Sequence, residues 1–161
     1  MGGSIRTSDD RARLVLQRGL LGLLTLGFLG TGAELLLVGH TEGFWQKVPL
    51  AIVALSLLAL TACAACGSIV SIRAFQGAMF LAIAGGVAGL GMHFQANMEF
   101  KLELQPGLAG LRLFWVSLKK GLTPVLAPGT LILLGLLGLF TTSRPATAAP
   151  APTHTPTAKD S

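Results

Sequence analysis

Four long stretches of the chain are built almost wholly from apolar side chains. Short segments rich in glycine, proline and charge separate them. The first stretch runs from about Leu14 to Val38, and its strongly polar positions are Gln17, Arg18 and Glu34. The second runs from Val48 to about Ile72 and meets no charge before Arg73. The third, Gly77 to about Met92, reaches a comparable length only with Ala74, Phe75 and His93 included. The fourth covers about Leu122 to Phe140. An α-helix rises about 1.5 Å per residue, so about 20 residues cross a hydrocarbon core of about 30 Å. Apolar positions are not confined to one helical face, as they would be in a soluble amphipathic helix. The pattern predicts an all-α integral membrane protein. Its fold would be a four-transmembrane-helix bundle with spans at about 14–38, 48–72, 74–93 and 122–140.

The connections add detail. Gly39-His40-Thr41-Glu42-Gly43 reads as a turn, and Phe44 and Trp45 form an aromatic pair suited to the headgroup layer. Pro49 falls where the next helix opens, a place that tolerates its missing N–H. Arg73 to Gln76 is expected to link the second and third spans. Residues 94–121 form an outer-side loop that is not featureless. From Met98 to Gln105 apolar and polar residues alternate strictly, which predicts an extended segment with one apolar face. Pro106-Gly107 reads as a turn. Leu108 to Lys120 follows as an amphipathic helix, with Leu108, Leu111, Phe114, Trp115 and Leu118 on one side and Arg112, Lys119 and Lys120 away from it. Gly121 is placed as its C-cap, and the two lysines suit the negative end of its dipole. This helix is expected to lie on the membrane surface or to cover the bundle. Pro124, Pro128 and Gly129 suit a tolerant helix N-terminus better than a hinge of transporter type. Residues 1–13 read as a polar cytosolic tail or short surface helix. Residues 141–161 are Thr/Ala/Pro-rich, have little to bury and are expected to be disordered.

Composition supports lipid as the solvent. Of 161 residues, 52% are hydrophobic and only 12% charged, against about 25% charged in a typical soluble domain. The net charge is +5, from 12 Lys+Arg and 7 Asp+Glu. These basic residues are scattered between apolar runs and form no stripe, so a nucleic-acid partner is not expected and contact with anionic headgroups is. With the N-terminus inside, Arg6, Arg11, Arg13, Arg18, Arg73, Arg144 and Lys159 are cytosolic. Lys47, Lys101, Arg112, Lys119 and Lys120 are then outside. That bias is shallow, and the compact cluster before the first span is the better argument for N-in and C-in. Trp45 and Trp115 then become anchors at one outer interface. The first apolar run is too long for a secretory leader and has no small-x-small cleavage site, so it is expected to be retained.

Glu34 is the residue with most to say about chemistry. A carboxylate inside a span is costly and by default faces the interior. Helical spacing sets it on a stripe with Gly27 and Gly30, small residues of the kind that let membrane helices pack closely. In the third span Ala78, Ala82, Gly85, Gly86 and Gly89 form a similar stripe, with His93 at its end. In an N-in topology the first and third spans exit on the same side. Glu34 and His93 are therefore expected to meet, directly or through water. His40, Glu42, Asn97, Glu99 and Glu103 lie on that side too. Together they outline a candidate proton path or divalent-cation site, although their spacing carries no recognised ligand signature.

Cys63-Ala-Ala-Cys66 has the spacing of a redox pair, but apolar surroundings disfavour the thiolate that such chemistry needs. Four-helix quinone-linked thiol oxidases carry such a pair at the outer mouth, with further outer cysteines. Both features are missing here, so small hydrophobes in packing contact is the better reading. The run from Gly85 to Gly91 follows no strand and is read as a packing face, not a phosphate loop. The chain has no motif for a nucleophile, a general base or a bound cofactor. In architecture it resembles small bacterial inner-membrane proteins, a likeness that carries no function. The leading expectation is a non-enzymatic accessory or scaffold subunit that associates through Gly/Ala faces, as a homo-oligomer or with a membrane-complex partner. The alternative is a proton- or ion-coupled transporter subunit built on Glu34 and His93. A membrane thiol oxidoreductase using Cys63 and Cys66 comes third.

Overall fold

A computed structural model of the chain describes residues 3–39, 43–119 and 126–142. The described residues form five helices: α1 (Gly3–Leu37), α2 (Phe44–Cys66), α3 (Ile69–Leu104), α4 (Gly110–Lys119) and α5 (Leu126–Thr142). Three of them contain segments long and apolar enough to cross a bilayer: Arg11–Leu37 in α1, Phe44–Cys66 and Ile69–Leu104. α5 is comparably apolar but shorter, at 17 residues.

Each long helix buries one stripe and exposes the rest. Leu24, Phe28, Thr31 and Leu35 of α1 are buried at spacings of four and three, as are Phe75, Met79, Ala82 and Gly86 of α3. α2 contributes Val53, Ser56, Ala59 and Leu60, and α5 contributes Ala127, Pro128, Leu131, Leu134, Gly135 and Gly138. The outward positions stay apolar: Leu26 and Leu29 on α1, Leu58 on α2, Phe80 and Val87 on α3, Leu133 and Phe140 on α5. A water-soluble protein does not expose so continuous an apolar belt. This is why the sequence shows no amphipathic period: the stripe that meets protein and the face that meets solvent are both apolar.

The helices pack in a ring. α1 packs on α2 and α5, and α3 packs on α2, α5 and α4. Among the described residues α1 and α3 make no such contact, so they are diagonal. The α3–α5 crossing is the closest. A Cβ at Gly86 would lie 2.6 Å from the Pro128 carbonyl oxygen, and a Cβ at Gly135 would lie 2.7 Å from that of Met79. Only hydrogen fits at these two positions, where backbone meets backbone. Thr25, Thr31, Thr61 and Thr130 donate to the carbonyls four residues back at 2.8–2.9 Å, whereas the buried Ser56 and Ser117 hydroxyls have no hydrogen-bond partner among the described residues. At the far end Gln76 donates to the Thr142 hydroxyl at 3.2 Å, joining α3 to α5.

Several boundaries differ from those the sequence suggests. α1 begins at Gly3, so residues 3–13 continue the first helix and form no separate tail. α2 begins at Phe44, which makes Pro49 its sixth residue, inside the helix. The break between α2 and α3 is at Gly67 and Ser68, and Arg73–Gln76 are helical. Gly67 adopts φ 58°, and its N–H is bonded to the Cys63 carbonyl at 3.1 Å. Ser68 caps α3 by accepting the Ser71 N–H at 3.1 Å. A left-handed glycine followed by a serine N-cap stops one helix and starts the next whatever the hydropathy.

The largest correction concerns Met98–Gln105, which is not extended: α3 continues to Leu104. Met, Glu, Lys, Leu and Gln are all strong helix formers, and their summed preference outweighs eight residues of alternation. Burial there follows a helical period, with Asn97 buried and Met98 and Lys101 half-buried. Pro106 and Gly107 do form the turn, and α4 starts at Gly110. Residues 120–125, among them Gly121 and Pro124, and the tail from residue 143 lie outside the described residues.

Candidate functional site

α1 ends, α2 begins and α5 begins at one end of the bundle, while α3 runs on past that level. The four helices enclose a partly open cavity of about 50 Å³ there. Its wall takes Glu34, Leu35 and Val38 from α1 and Pro49 from α2. Gly85, Gly89 and His93 come from α3, and Ala127, Pro128 and Leu131 from α5. Because all four contribute, the cavity lies on the bundle axis. It occupies the gap between the diagonal helices α1 and α3, and the two bare glycines of α3 leave it open.

Glu34 and His93 thus line one cavity from opposite corners of the ring, each partly buried. Glu34 is three residues before the end of α1, about 4.5 Å at helical rise. The remaining walls are apolar apart from backbone. Pro49 has no N–H to give the Trp45 carbonyl four residues back, which removes that carbonyl's usual helical donor. Pro128 is the third residue of α5, in its first turn, where no N–H is needed.

Size bounds the occupant. A cavity needs roughly 10–15 Å³ to admit one water, so this one has room for a few. Protons, waters and small cations fit in that space. Among the described residues no three His, Cys, Asp or Glu side chains gather closely enough to share a metal ion. Glu34 and His93 supply two ligand types only, and a third would have to come from elsewhere in the chain.

The other sequence candidates are distributed as follows. Glu99 is exposed on α3 beyond His93, where its Oε1 accepts from Gln95 Nε2 at 3.1 Å, and it does not line the cavity. Glu103 is exposed farther along α3, and Asn97 is buried on it. His40 and Glu42 lie outside the described residues. Of the packing glycines, Gly27 faces Leu134, Gly85 faces Ile52, Gly86 meets the Pro128–Ile132 backbone, and a Cβ at Gly89 would lie 3.4 Å from that of Pro128; Ala82 is fully buried. Gly30 differs. It is exposed, with open space where its side chain would be, and Gly32 takes its place on the inner face beside Val53. Cys63 is half-buried, Cys66 is exposed as the last residue of α2, and both are free thiols. Trp45 and Trp115 are both exposed.

Sequence reasoning did not assign Leu35, Val38, Pro49, Ala127, Pro128 or Leu131 to a cavity; it read Pro49 as a helix-start residue and weighed Pro128 as a helix start against a hinge. For Pro49 a signal was present: a proline inside an apolar run marks a place where a backbone carbonyl loses its helical donor. Comparison of the chain with protein-family models, with curated proteins and with solved structures returns no match.

Proposed function

We propose that the chain is a membrane protein of four crossings, α1, α2, α3 and α5, with both termini cytosolic in a bacterial plasma membrane. Its cavity is a hydrated site that takes up a proton or small cation, which makes the protein a proton- or ion-coupled transporter subunit. The observation that supports this most is the sharing of one small axial cavity by Glu34 and His93. A carboxylate within a span is retained against its desolvation cost where it serves an ion or proton pathway. Here it has an imidazole across a space of water-cluster size, and imidazole is the side chain best suited to relay protons near neutral pH.

A second reading rests on a different face. Gly19, Gly22, Gly30 and Ala33 point outward along α1, and the three glycines have no atom near them. This stripe suits close approach of another helix and supports a non-enzymatic accessory subunit. The Gly/Ala face of α3 is already occupied by α2 and α5.

Proteoliposomes separate the two readings. The wild type is expected to dissipate an imposed pH or cation gradient faster than empty vesicles. Glu34→Gln and His93→Ala should lose most of that flux while their thermal stability in detergent stays near wild type. Gly89→Ala keeps both groups and adds a methyl at ordinary contact distance from Pro128, so it should slow flux by filling the cavity. Wild-type vesicles no leakier than empty ones, with protons, Na⁺, K⁺, Zn²⁺ or Mn²⁺, would overturn the transport reading in favour of the accessory one.

A further inference from the structure

α4 carries apolar side chains on two faces, and among the described residues only one is used. Leu113 and Ser117 are buried, as is Leu108 just before the helix, where α4 packs on α3. Leu111, Phe114, Trp115 and Leu118 recur at spacings of three, four and seven, and so form a second stripe along the helix. This stripe is open: Leu111 is 72% exposed and Leu118 56%. Of the side expected from sequence to be apolar, the bundle covers Leu108 and leaves Leu111, Phe114, Trp115 and Leu118 exposed.

Its depth is fixed by ring contacts. Phe114 packs edge-on against Phe94 at 5.2 Å and against Trp115 at 5.8 Å. Phe94 adjoins His93, which lines the cavity together with the last turn of α1 and the first turns of α2 and α5. The stripe thus lies at the level where three of the four long helices end. For a chain that crosses a bilayer, that level is the headgroup layer. Phe44 and Trp45, also exposed and in edge-on contact at 5.6 Å, open α2 at this end, within two turns of Pro49. Charge agrees with a lipid phosphate surface: α4 has no acidic residue, and Arg112, one position along from the stripe, is exposed. Area argues against a protein in this place. Four side chains, two of them half-covered, offer on the order of 400 Å², about half of what each partner gives to a stable interface.

We infer that the outer stripe of α4 docks in the lipid headgroup–acyl boundary of the leaflet on the cavity side, with Trp115 and Arg112 as its anchors. α4 then serves as a float that sets how deep the cavity mouth sits. This inference rests on the membrane reading above, and its test separates the two. The chain has two tryptophans, Trp45 and Trp115, so Trp45→Phe and Trp115→Phe each leave one reporter. Each variant is placed in phosphatidylcholine/phosphatidylglycerol vesicles brominated either near the headgroup or near the chain end, and acrylamide is added in parallel.

Trp115 fluorescence is expected to fall about twofold in the shallow-brominated lipid and much less in the deep one, as for a residue of an interfacial aromatic belt. Quenching of Trp45 but not Trp115 by lipid would overturn the α4 proposal and leave the membrane reading standing. In that case, acrylamide access to Trp115 would mean that the stripe faces water, and protection from acrylamide would mean that a second copy covers it. Quenching of neither tryptophan by lipid would overturn both.

Discussion

A methyl group at Gly86 would be driven into the Pro128 carbonyl, whereas at Gly30 it would meet nothing. The same substitution should therefore have opposite signs at the two positions. Gly86→Ala or Gly135→Ala must push two backbones apart, and overpacking of this kind costs about 1–3 kcal/mol. Gly30→Ala adds helix propensity in open space and should be neutral or stabilising by up to about 1 kcal/mol. Equilibrium unfolding in mixed micelles measures both; equal effects at Gly30 and Gly86 would show that the α3–α5 crossing is not as close as described. The contrast also explains what the sequence could and could not reveal. Glu34 and His93 stood out because an ionisable group in an apolar run has few places to go, and both do line one cavity. Gly30 and Gly32 are indistinguishable by composition, since lipid and a neighbouring helix are both apolar. Helical phase alone put Gly30 inside when the burial stripe runs through Thr31 and Leu35.

At the scale of elements, the strong spans were legible and their ends were not. Hydropathy locates the interior of a membrane helix, but local backbone chemistry ends it, and that chemistry occupies only two residues between α2 and α3. Gly67 holds a left-handed conformation at φ 58°, which costs a residue with a Cβ about 1–2 kcal/mol. Gly67→Ala should lose that much stability. Ala74→Pro should lose about 3 kcal/mol or more, because it would break α3 where the sequence suggested a connection. A tolerated proline at position 74 would restore that connection and contradict the continuous helix. The same lesson applies to residues 98–104. Period-two alternation predicts a strand only where a partner strand can take up its N–H groups. Here α3 is already formed, and each added residue gains a helical hydrogen bond at once. α3 therefore reaches 36 residues, about 54 Å at helical rise, so it must stand well clear of a hydrocarbon core of about 30 Å. The segment beyond His93 carries the exposed Glu99 and Glu103, as a projecting helix should.

For the whole molecule the side taken by the N-terminus decides where the cavity opens, and the number of crossings decides the side of the C-terminus. α5 has 17 residues, about 26 Å at helical rise, which sits at the short limit for a span. If α5 crosses, the count is four and both termini share a side. If it does not, they are opposed. Arg6, Arg11 and Arg13 precede the first span, and such a cluster is retained on the cytosolic side. In the proposed N-in topology the cavity, at the opposite end of α1, opens outward, and Cys63 and Cys66 lie near the cytosolic surface. Single cysteines in a Cys63→Ala, Cys66→Ala background test this with an impermeant maleimide. Gly107→Cys, at the turn before α4, should label in intact cells. Ser8→Cys and Thr157→Cys should label only after the membrane is opened. Labelling of Thr157→Cys together with Gly107→Cys in intact cells would mean three crossings, with α5 packed beside the span helices without passing through. The inverse pattern at all three positions would mean that Glu34 and His93 face the cytosol, and a proton taken up there would come from the other compartment.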